Sequence, residues 1–214
     1  MTRMRCMNRF ATTIALGALV ASTVSCGDVV RSGKGPMFLV IDSLQGLRGG
    51  GTGTLSVPLY SDVITNKTSP APCTTASPCA AIFADAGSVV LRLVPKDIGN
   101  AAVAAAPSTN NEVTITRYRV VYKRADGRNT PGLDVPYPFD GAATGTVQIG
   151  ASLTLPFELV RHVAKEEPPL RELIFSPTFI ASITEVTFYG QDRVGNEISV
   201  TGTILIEFGN FGDF

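Results

Sequence analysis

The chain has 214 residues, of which 44% are apolar, and it contains 21 Gly, 14 Pro, four Cys, one His and no Trp. This composition argues against the disordered, collagen-like and coiled-coil classes and is that of one globular domain with a tether. Eighteen basic residues balance eighteen acidic residues, so the charge predicts no nucleic-acid partner, and a single His excludes a multi-histidine metal site.

The N-terminus has the layout of a secretory signal peptide. Arg3, Arg5 and Arg9 are the only charged residues among the first 27, and an apolar run over residues 10–24 follows them. A membrane-spanning helix needs about 20 apolar residues. The shorter run therefore favours a cleaved leader over an uncleaved anchor.

The end of the apolar run reads Thr23-Val24-Ser25-Cys26, which resembles the lipobox of bacterial lipoproteins. The resemblance implies that cleavage follows Ser25, that the Cys26 thiol receives a diacylglycerol and that the new amino group is acylated. Each buried methylene contributes about 0.8 kcal/mol, so two or three acyl chains anchor a protein where one binds only marginally. An ordinary secretory leader with an incidental Cys and an uncleaved helical anchor are the alternatives.

The predicted organisation is a signal peptide over residues 1–25, a lipidated Cys26 with a flexible tether over 26–36, and a domain over 37–214. The membrane is then a partner through the anchor at Cys26. The lipobox resemblance implies a location in the bacterial cell envelope, on the side of the periplasm or the cell surface.

Cys73 and Cys79 are the cysteines of the predicted mature domain, since Cys6 lies in the leader. In an exported chain such a close pair most simply forms a disulfide, which here would pin a Pro-rich loop. A metal or redox pair is the alternative, but zinc sites usually bring four ligands at other spacings. We therefore predict a Cys73–Cys79 disulfide, no metal and no cofactor.

From Met37 onward the pattern is that of strands and turns. Apolar runs and period-two alternation predict strands at residues 38–41, 55–59, 89–93, 113–124, 153–159, 185–189 and 197–208. The second belongs at a sheet edge because Pro58 cannot donate to a ladder. The fourth changes its apolar parity, which predicts a bulge or a passage between sheets. Short helical turns are predicted at 98–106 and 170–175, and long connections at 61–87 and 125–144.

The last two strands form the clearest unit. Gly195 suits a left-handed position in the loop Asp192-Arg-Val-Gly-Asn196, and Asp192 can accept bonds from the turn backbone. The number of strands predicts an all-β domain of two packed antiparallel sheets. The hairpin over 186–200 resembles the closing strands of bacterial immunoglobulin-like and fibronectin-like modules, which implies an immunoglobulin-like β-sandwich with long loops.

Two further features suggest chemistry only weakly. The Gly-rich segment 49–53 lacks the Lys-Ser/Thr pair and the following helix of a P-loop, so it predicts a flexible turn. His162 lies near Glu166 and Glu167, but on the polar side of its predicted strand. We expect it to be exposed, because a general base needs positioned partners that sequence adjacency does not supply.

The second long connection offers the best candidate recognition surface. It holds Tyr137 and Phe139 between prolines and beside Asp140, an arrangement that can present aromatic faces to a sugar or a peptide, or else can cap the core. Its acids Asp126, Asp134 and Asp140 are spaced unlike a calcium loop, which favours a solvated loop over a bound cation.

The sequence lacks a hydrolase nucleophile elbow as well as a P-loop. It therefore predicts a lipid-anchored binding or structural module of the bacterial envelope without enzymatic activity, whose partner is an envelope protein or a glycan. The alternative is an accessory carbohydrate-binding or enzyme-associated lipoprotein that uses Tyr137, Phe139 and Asp140.

Overall fold

The computed structural model of the chain describes residues 35–51, 53–96 and 108–212. The predicted signal peptide, Cys26 and most of the predicted tether lie outside the described residues, as does the helical turn predicted at 98–106. Within the described ranges, no helix has the length and apolar character that a membrane crossing requires.

Ten strands and little helix make up the described part of the chain. The strands are β1 (Met37–Leu47), β2 (Leu59–Asp62), β3 (Thr65–Lys67), β4 (Cys79–Ala81), β5 (Asp85–Pro95), β6 (Val113–Lys123), β7 (Phe139–Val147), β8 (Ser152–Val160), β9 (Ile180–Asp192) and β10 (Glu197–Gly209). The helical elements are α1 (His162–Glu166) and two 3-10 turns (Thr109–Asn111 and Leu170–Phe175). The predicted all-β class is therefore confirmed.

The strands form two main sheets that pack face to face. The smaller sheet has the order β1-β5-β8 and the larger has the order β2-β10-β9-β6-β7, while β3 and β4 form a separate ribbon. The prediction of purely antiparallel sheets is wrong at one pair, because β2 runs parallel to β10. The chain reverses its direction twice between β1 and β2. After the first reversal, Ser56 forms an antiparallel bridge with Gly46, and after the second, β2 runs parallel to β10.

The first and last strands of the domain have their starts at one end, and the last strand finishes at the other end. β1 and β10 begin at the same end, where Gly35 lies beside Ile198. β2 and β10 finish together at the opposite end, where Asp62 is in register with Gly209. The described chain therefore enters the domain at one end and completes its last strand at the other.

Aromatic side chains from both sheets fill the centre of the core. The ring centroid of Phe157, on β8, lies 5.1 Å from that of Tyr118 on β6 and 5.2 Å from that of Phe188 on β9. Edge-to-face pairs of this kind contribute about 0.5–1.5 kcal/mol beyond the area that they bury. On β5 a Cβ at Gly87 would lie 2.3 Å from Cζ of Phe157, so the ring requires a glycine there.

Two local predictions are confirmed. The register of β6 with both of its neighbours shifts between Ile115 and Arg117, which is the predicted bulge. In the hairpin between β9 and β10, Oδ1 of Asp192 accepts hydrogen bonds from the backbone N–H groups of Val194 (3.0 Å) and Asn196 (2.8 Å). Gly195 has a φ of 90°, the left-handed conformation that its sequence predicted.

Other predicted boundaries are corrected. The second strand begins only after Pro58, and Leu55 and Val57 are exposed. The predicted long connection 61–87 contains the β3–β4 ribbon. The connection predicted over 125–144 ends earlier, because its last residues belong to β7.

Cys73 and Cys79 form the predicted disulfide, with their Cα atoms 5.3 Å apart. Cys79 is also the first residue of β4, which pairs with β3. The bridge therefore attaches the Pro-rich loop to the small ribbon.

Candidate functional site

The candidate site lies on the solvent-facing side of the larger sheet, which we call the outer face. Alternate residues of β6, β9 and β10 point away from the core there, and most of them are polar or charged. The central members are Arg117, Arg119, Thr187, Tyr189, Ser199 and Thr201. The register places Tyr189 between Arg117 on β6 and Ser199 on β10.

Arg117 is held on two sides. Its guanidinium carbon lies 3.8 Å from the ring centroid of Tyr189, and the guanidinium donates to Oδ1 of Asp140 at 3.4 Å. Arg119 donates to the other oxygen of Asp140 at 2.8 Å. A stacked and paired guanidinium keeps its planar fork of donors in one orientation. These donors are therefore positioned before a partner arrives.

The charged array formed by Arg117, Arg119 and Asp140 adds little to the stability of the fold. The side chains of Arg117, Arg119 and Asp140 are 53%, 45% and 47% exposed, and exposed ion pairs contribute about 0–1 kcal/mol because water and salt screen them. An ordered but weakly stabilising charge array on a sheet face is better suited to recognition than to folding.

A groove of about 440 Å³ opens beside Arg117, at the end of the domain where β1 and β10 begin. Its walls include Met37, Phe38, Lys96, Arg117, Tyr189 and Ile198. Nζ of Lys96 lies 5.2 Å from the ring centroid of Phe38, so a second cation sits on a second aromatic ring. The lining also includes the acid Glu197 and the polar residues Thr116, Gln191 and Ser199. The groove thus combines two cations and one acid with polar and apolar side chains, and its excess of one positive charge suits a partner that brings a carboxylate.

The structure separates the three residues of the predicted recognition surface. Phe139 is buried, with its ring centroid 6.1 Å from that of Tyr118. Asp140, the next residue on β7, points to the outer face and belongs to the Arg117 array. Tyr137 precedes the strand, is 51% exposed, and lies over Gly132. Phe139 therefore caps the core, and the three side chains do not form one surface.

The other two acids of that loop, Asp126 and Asp134, accept hydrogen bonds from residues within the loop. Asp126 accepts hydrogen bonds from the side chains of Arg124 and Arg128, which hold the pKa of its carboxyl well below its usual range. Asp134 accepts a hydrogen bond from the backbone N–H of Thr130. Within the described ranges, no group of three or more His, Cys, Asp or Glu side chains is placed to hold a metal ion.

A buried ionic cluster, which the sequence did not predict, lies at the other end of the domain. Nζ of Lys165, on α1, is 2.9 Å from Oδ2 of Asp85 and donates to the carbonyl of Asp62 at 2.8 Å. Ser61 donates to the same oxygen of Asp85 at 2.5 Å, and the N–H of Gly49 donates to the other oxygen at 2.8 Å. The Lys165 and Asp85 side chains are 1% and 0% exposed. With no access from solvent, this cluster joins α1, β5 and β2 rather than forming an active site.

A buried tyrosine lies on the other side of the same region. Tyr122 donates its hydroxyl to the carbonyl of Leu159 at 2.8 Å. Burial, followed by the charge of Asp85, raises the pKa of its phenol well above the usual range. The Tyr122 hydroxyl therefore stays protonated and serves as a structural donor between the two sheets.

His162 is exposed, as predicted, although it begins α1 instead of continuing a strand. The Gly-rich segment forms a turn in which Gly50 has a φ of 74°. Neither residue contributes to the groove. No protein-family model, curated protein or solved structure is significantly similar to this chain.

Proposed function

We propose that the chain is a lipid-anchored protein of the bacterial cell envelope whose immunoglobulin-like domain binds a partner protein through the groove at the end where β1 and β10 begin. One observation carries this proposal: Arg117 is fixed between the ring of Tyr189 and the carboxylate of Asp140 at the mouth of the groove. The domain acts as a binding module and performs no catalysis.

The order of the strands supports the immunoglobulin-like part of the proposal. In immunoglobulin-like sandwiches, the first, second and fifth strands share one sheet, and the third, sixth and seventh share the other. Here β1, β5 and β8 correspond to the first group and β6, β9 and β10 to the second. β7 then corresponds to the additional strand beside the third, and β2 to a second half of the first strand.

The position of the groove supports a partner close to the membrane. β1 begins beside the groove, so the proposed tether joins the domain at the same end. The segment from Cys26 to Met37 can extend to at most about 40 Å. An anchor at Cys26 would therefore keep the groove within that distance of the bilayer surface.

The contacts of the aromatic rings favour a protein over a glycan. Sugars stack on exposed aromatic faces, but in the groove Arg117 lies on the ring of Tyr189 and Lys96 lies on the ring of Phe38. The donor fork of Arg117, in contrast, matches the bidentate geometry of a carboxylate. A partner that places an Asp or Glu side chain or a C-terminal carboxylate in the groove fits these contacts.

Chemical cross-linking on intact cells, followed by mass spectrometry, tests the binding role. We expect Arg117→Glu to lower the recovery of the partner at least about tenfold, because it reverses the charge that meets the partner's carboxylate. Arg92→Glu is the matched control, since Arg92 also pairs with an aspartate, Asp42, but on the smaller sheet. Equal recovery with both variants, each folded by circular dichroism, would rule out the groove as the binding site.

Mass analysis of the N-terminal peptide of the protein extracted from its native cells tests the anchor. We expect Cys26 to be the first residue, with a diacylglyceryl group on its thiol and an acyl group on its amine. Cys26→Ala should move the protein from the membrane fraction to the soluble fraction. A bare amino terminus, or an intact leader, contradicts the proposed anchor and the location that follows from it.

A further inference from the structure

A second groove lies at the end of the domain where the last strand finishes. Its walls come from two loops, over residues 124–134 and 169–180, and its lining includes Ile180, which is in register with Phe208 on β10. The volume of this groove is about 360 Å³, within the range of about 300–1,000 Å³ that is usual for small-molecule sites. We call it the distal groove. It shares no residue with the groove beside Arg117.

Two apolar side chains of the distal groove are open to solvent. Phe179 is 59% exposed and Leu133 is 70% exposed. In the part of the chain that the structure describes, neither an aromatic ring nor a cation stacks on Phe179. In the first groove, by contrast, Tyr189 and Phe38 each lie against a cation. The ring of Phe179 is therefore available for stacking with a ligand.

Hydrogen-bonding groups of both kinds line the same groove. Arg124 and Arg128 each donate from Nε and Nη2 to Asp126. These bonds order the two guanidinium groups and leave Nη1 of each without a hydrogen bond to any described residue. Oδ1 of Asp134 and the carboxylate of Glu172 also accept no hydrogen bond from the described residues. The distal groove therefore offers both donors and acceptors that the fold does not use.

The charges that line the distal groove cancel. Two arginines, Arg124 and Arg128, face two acids, Asp134 and Glu172, so the lining has no net charge with which to select an anion or a cation. A ligand that fits this lining is uncharged, has groups that both donate and accept hydrogen bonds, and has an apolar face for the ring of Phe179.

We propose that the distal groove binds a neutral oligosaccharide. Each sugar hydroxyl both donates and accepts hydrogen bonds, so the hydroxyls of one sugar can accept from the guanidinium groups and donate to the carboxylates. The C–H groups on the face of the sugar ring stack on Phe179. The two grooves lie at opposite ends of the domain, so this inference is independent of the partner protein that binds beside Arg117.

Isothermal titration calorimetry with hexasaccharides tests the proposal. The full chain is expressed with its own leader and purified in a detergent without a sugar headgroup. We expect at least one neutral hexasaccharide among cellohexaose, mannohexaose and chitohexaose to bind. Phe179→Ala should weaken that binding at least about tenfold, because it removes the stacking surface.

Phe175→Ala is the matched control. Phe175 is 93% exposed but does not line the distal groove, so its removal should change the affinity by less than about twofold. A rise in sodium chloride from about 0.05 M to about 0.5 M should also change the affinity by less than about twofold, since salt screens charge pairs and the ligand has no charge.

Three results would overturn the proposal. The first is that none of the neutral hexasaccharides binds at concentrations up to about 5 mM. The second is that Phe179→Ala binds the neutral sugar as tightly as Phe175→Ala does, with both variants folded by circular dichroism. The third is that the parent chain binds only charged probes, such as hexagalacturonate, the glucosamine hexamer or a tetralysine peptide.

Discussion

We expect the replacement of Lys165 with methionine to lower the free energy of unfolding by about 3–5 kcal/mol, a loss that urea denaturation of the purified protein would measure. The loss arises because Asp85, which is completely buried, would lose the cation that lies 2.9 Å from its carboxylate. Methionine fills much of the volume of the lysine stem, so the effect reports the ion pair more than the packing. An unpaired carboxylate in a protein interior is among the most costly local defects.

Two comparisons isolate the cause. Lys123→Met breaks an ion pair of similar length, 2.7 Å to Glu185, but both of these side chains are more than a third exposed. The loss of stability should therefore stay below about 1 kcal/mol. Adding Asp85→Asn to Lys165→Met should recover part of the stability, because the amide removes the buried charge while its oxygen still accepts a hydrogen bond. Similar small losses in Lys165→Met and Lys123→Met would show that the buried cluster does not hold α1 to the sheets.

Phe188→Ala should lower the free energy of unfolding by about 3–5 kcal/mol, the usual cost of removing a buried phenylalanine ring. Phe188 is completely buried and contacts both Phe157 and Tyr118, so its removal leaves a cavity between the two sheets. Phe175→Ala is the matched control. Phe175 is 93% exposed, and its removal should change the stability by no more than about 0.5 kcal/mol. If the two substitutions cost the same in a urea titration, the two sheets do not pack through the Phe188 ring.

The strands that the sequence predicted well are those whose signals are local. In β10 the apolar residues alternate with polar ones, and the hairpin loop contains the Asp and Gly that its geometry needs. The bulge in β6 could also be predicted from the local sequence, because one inserted residue reverses the parity of the apolar positions. Each of these signals depends on residues that are close together in the chain.

β7 was missed because the middle of its sequence, Asp-Gly-Ala-Ala-Thr-Gly over residues 140–145, has a single β-branched residue and no aromatic residue to favour a strand. Its strand conformation is set by pairing with β6, and a Cβ at Gly141 would lie 2.3 Å from Cζ of Tyr118. Missing this strand also hid the separation of Phe139 from Asp140, since adjacent strand residues point to opposite faces.

The groove and the buried cluster could not be predicted, because both depend on pairings across long stretches of chain. Arg117 meets Tyr189 only through the register of β6 with β9, and that register is shifted by the bulge. Lys165 and Asp85 lie in different elements that come together when α1 folds over the end of β5. No nearby residue distinguishes this lysine from a solvated one.

The opposite placement of the first and last strands has a mechanical consequence. Tension applied between the start of β1 and the end of β10 acts along the strands, so neighbouring strands are loaded in shear. In the parallel pair of β2 and β10, the hydrogen bonds then share the load and must break together, whereas a peeled hairpin opens one bond at a time. We therefore expect the domain to resist tension applied along its strands more than the strength of each single bond would suggest.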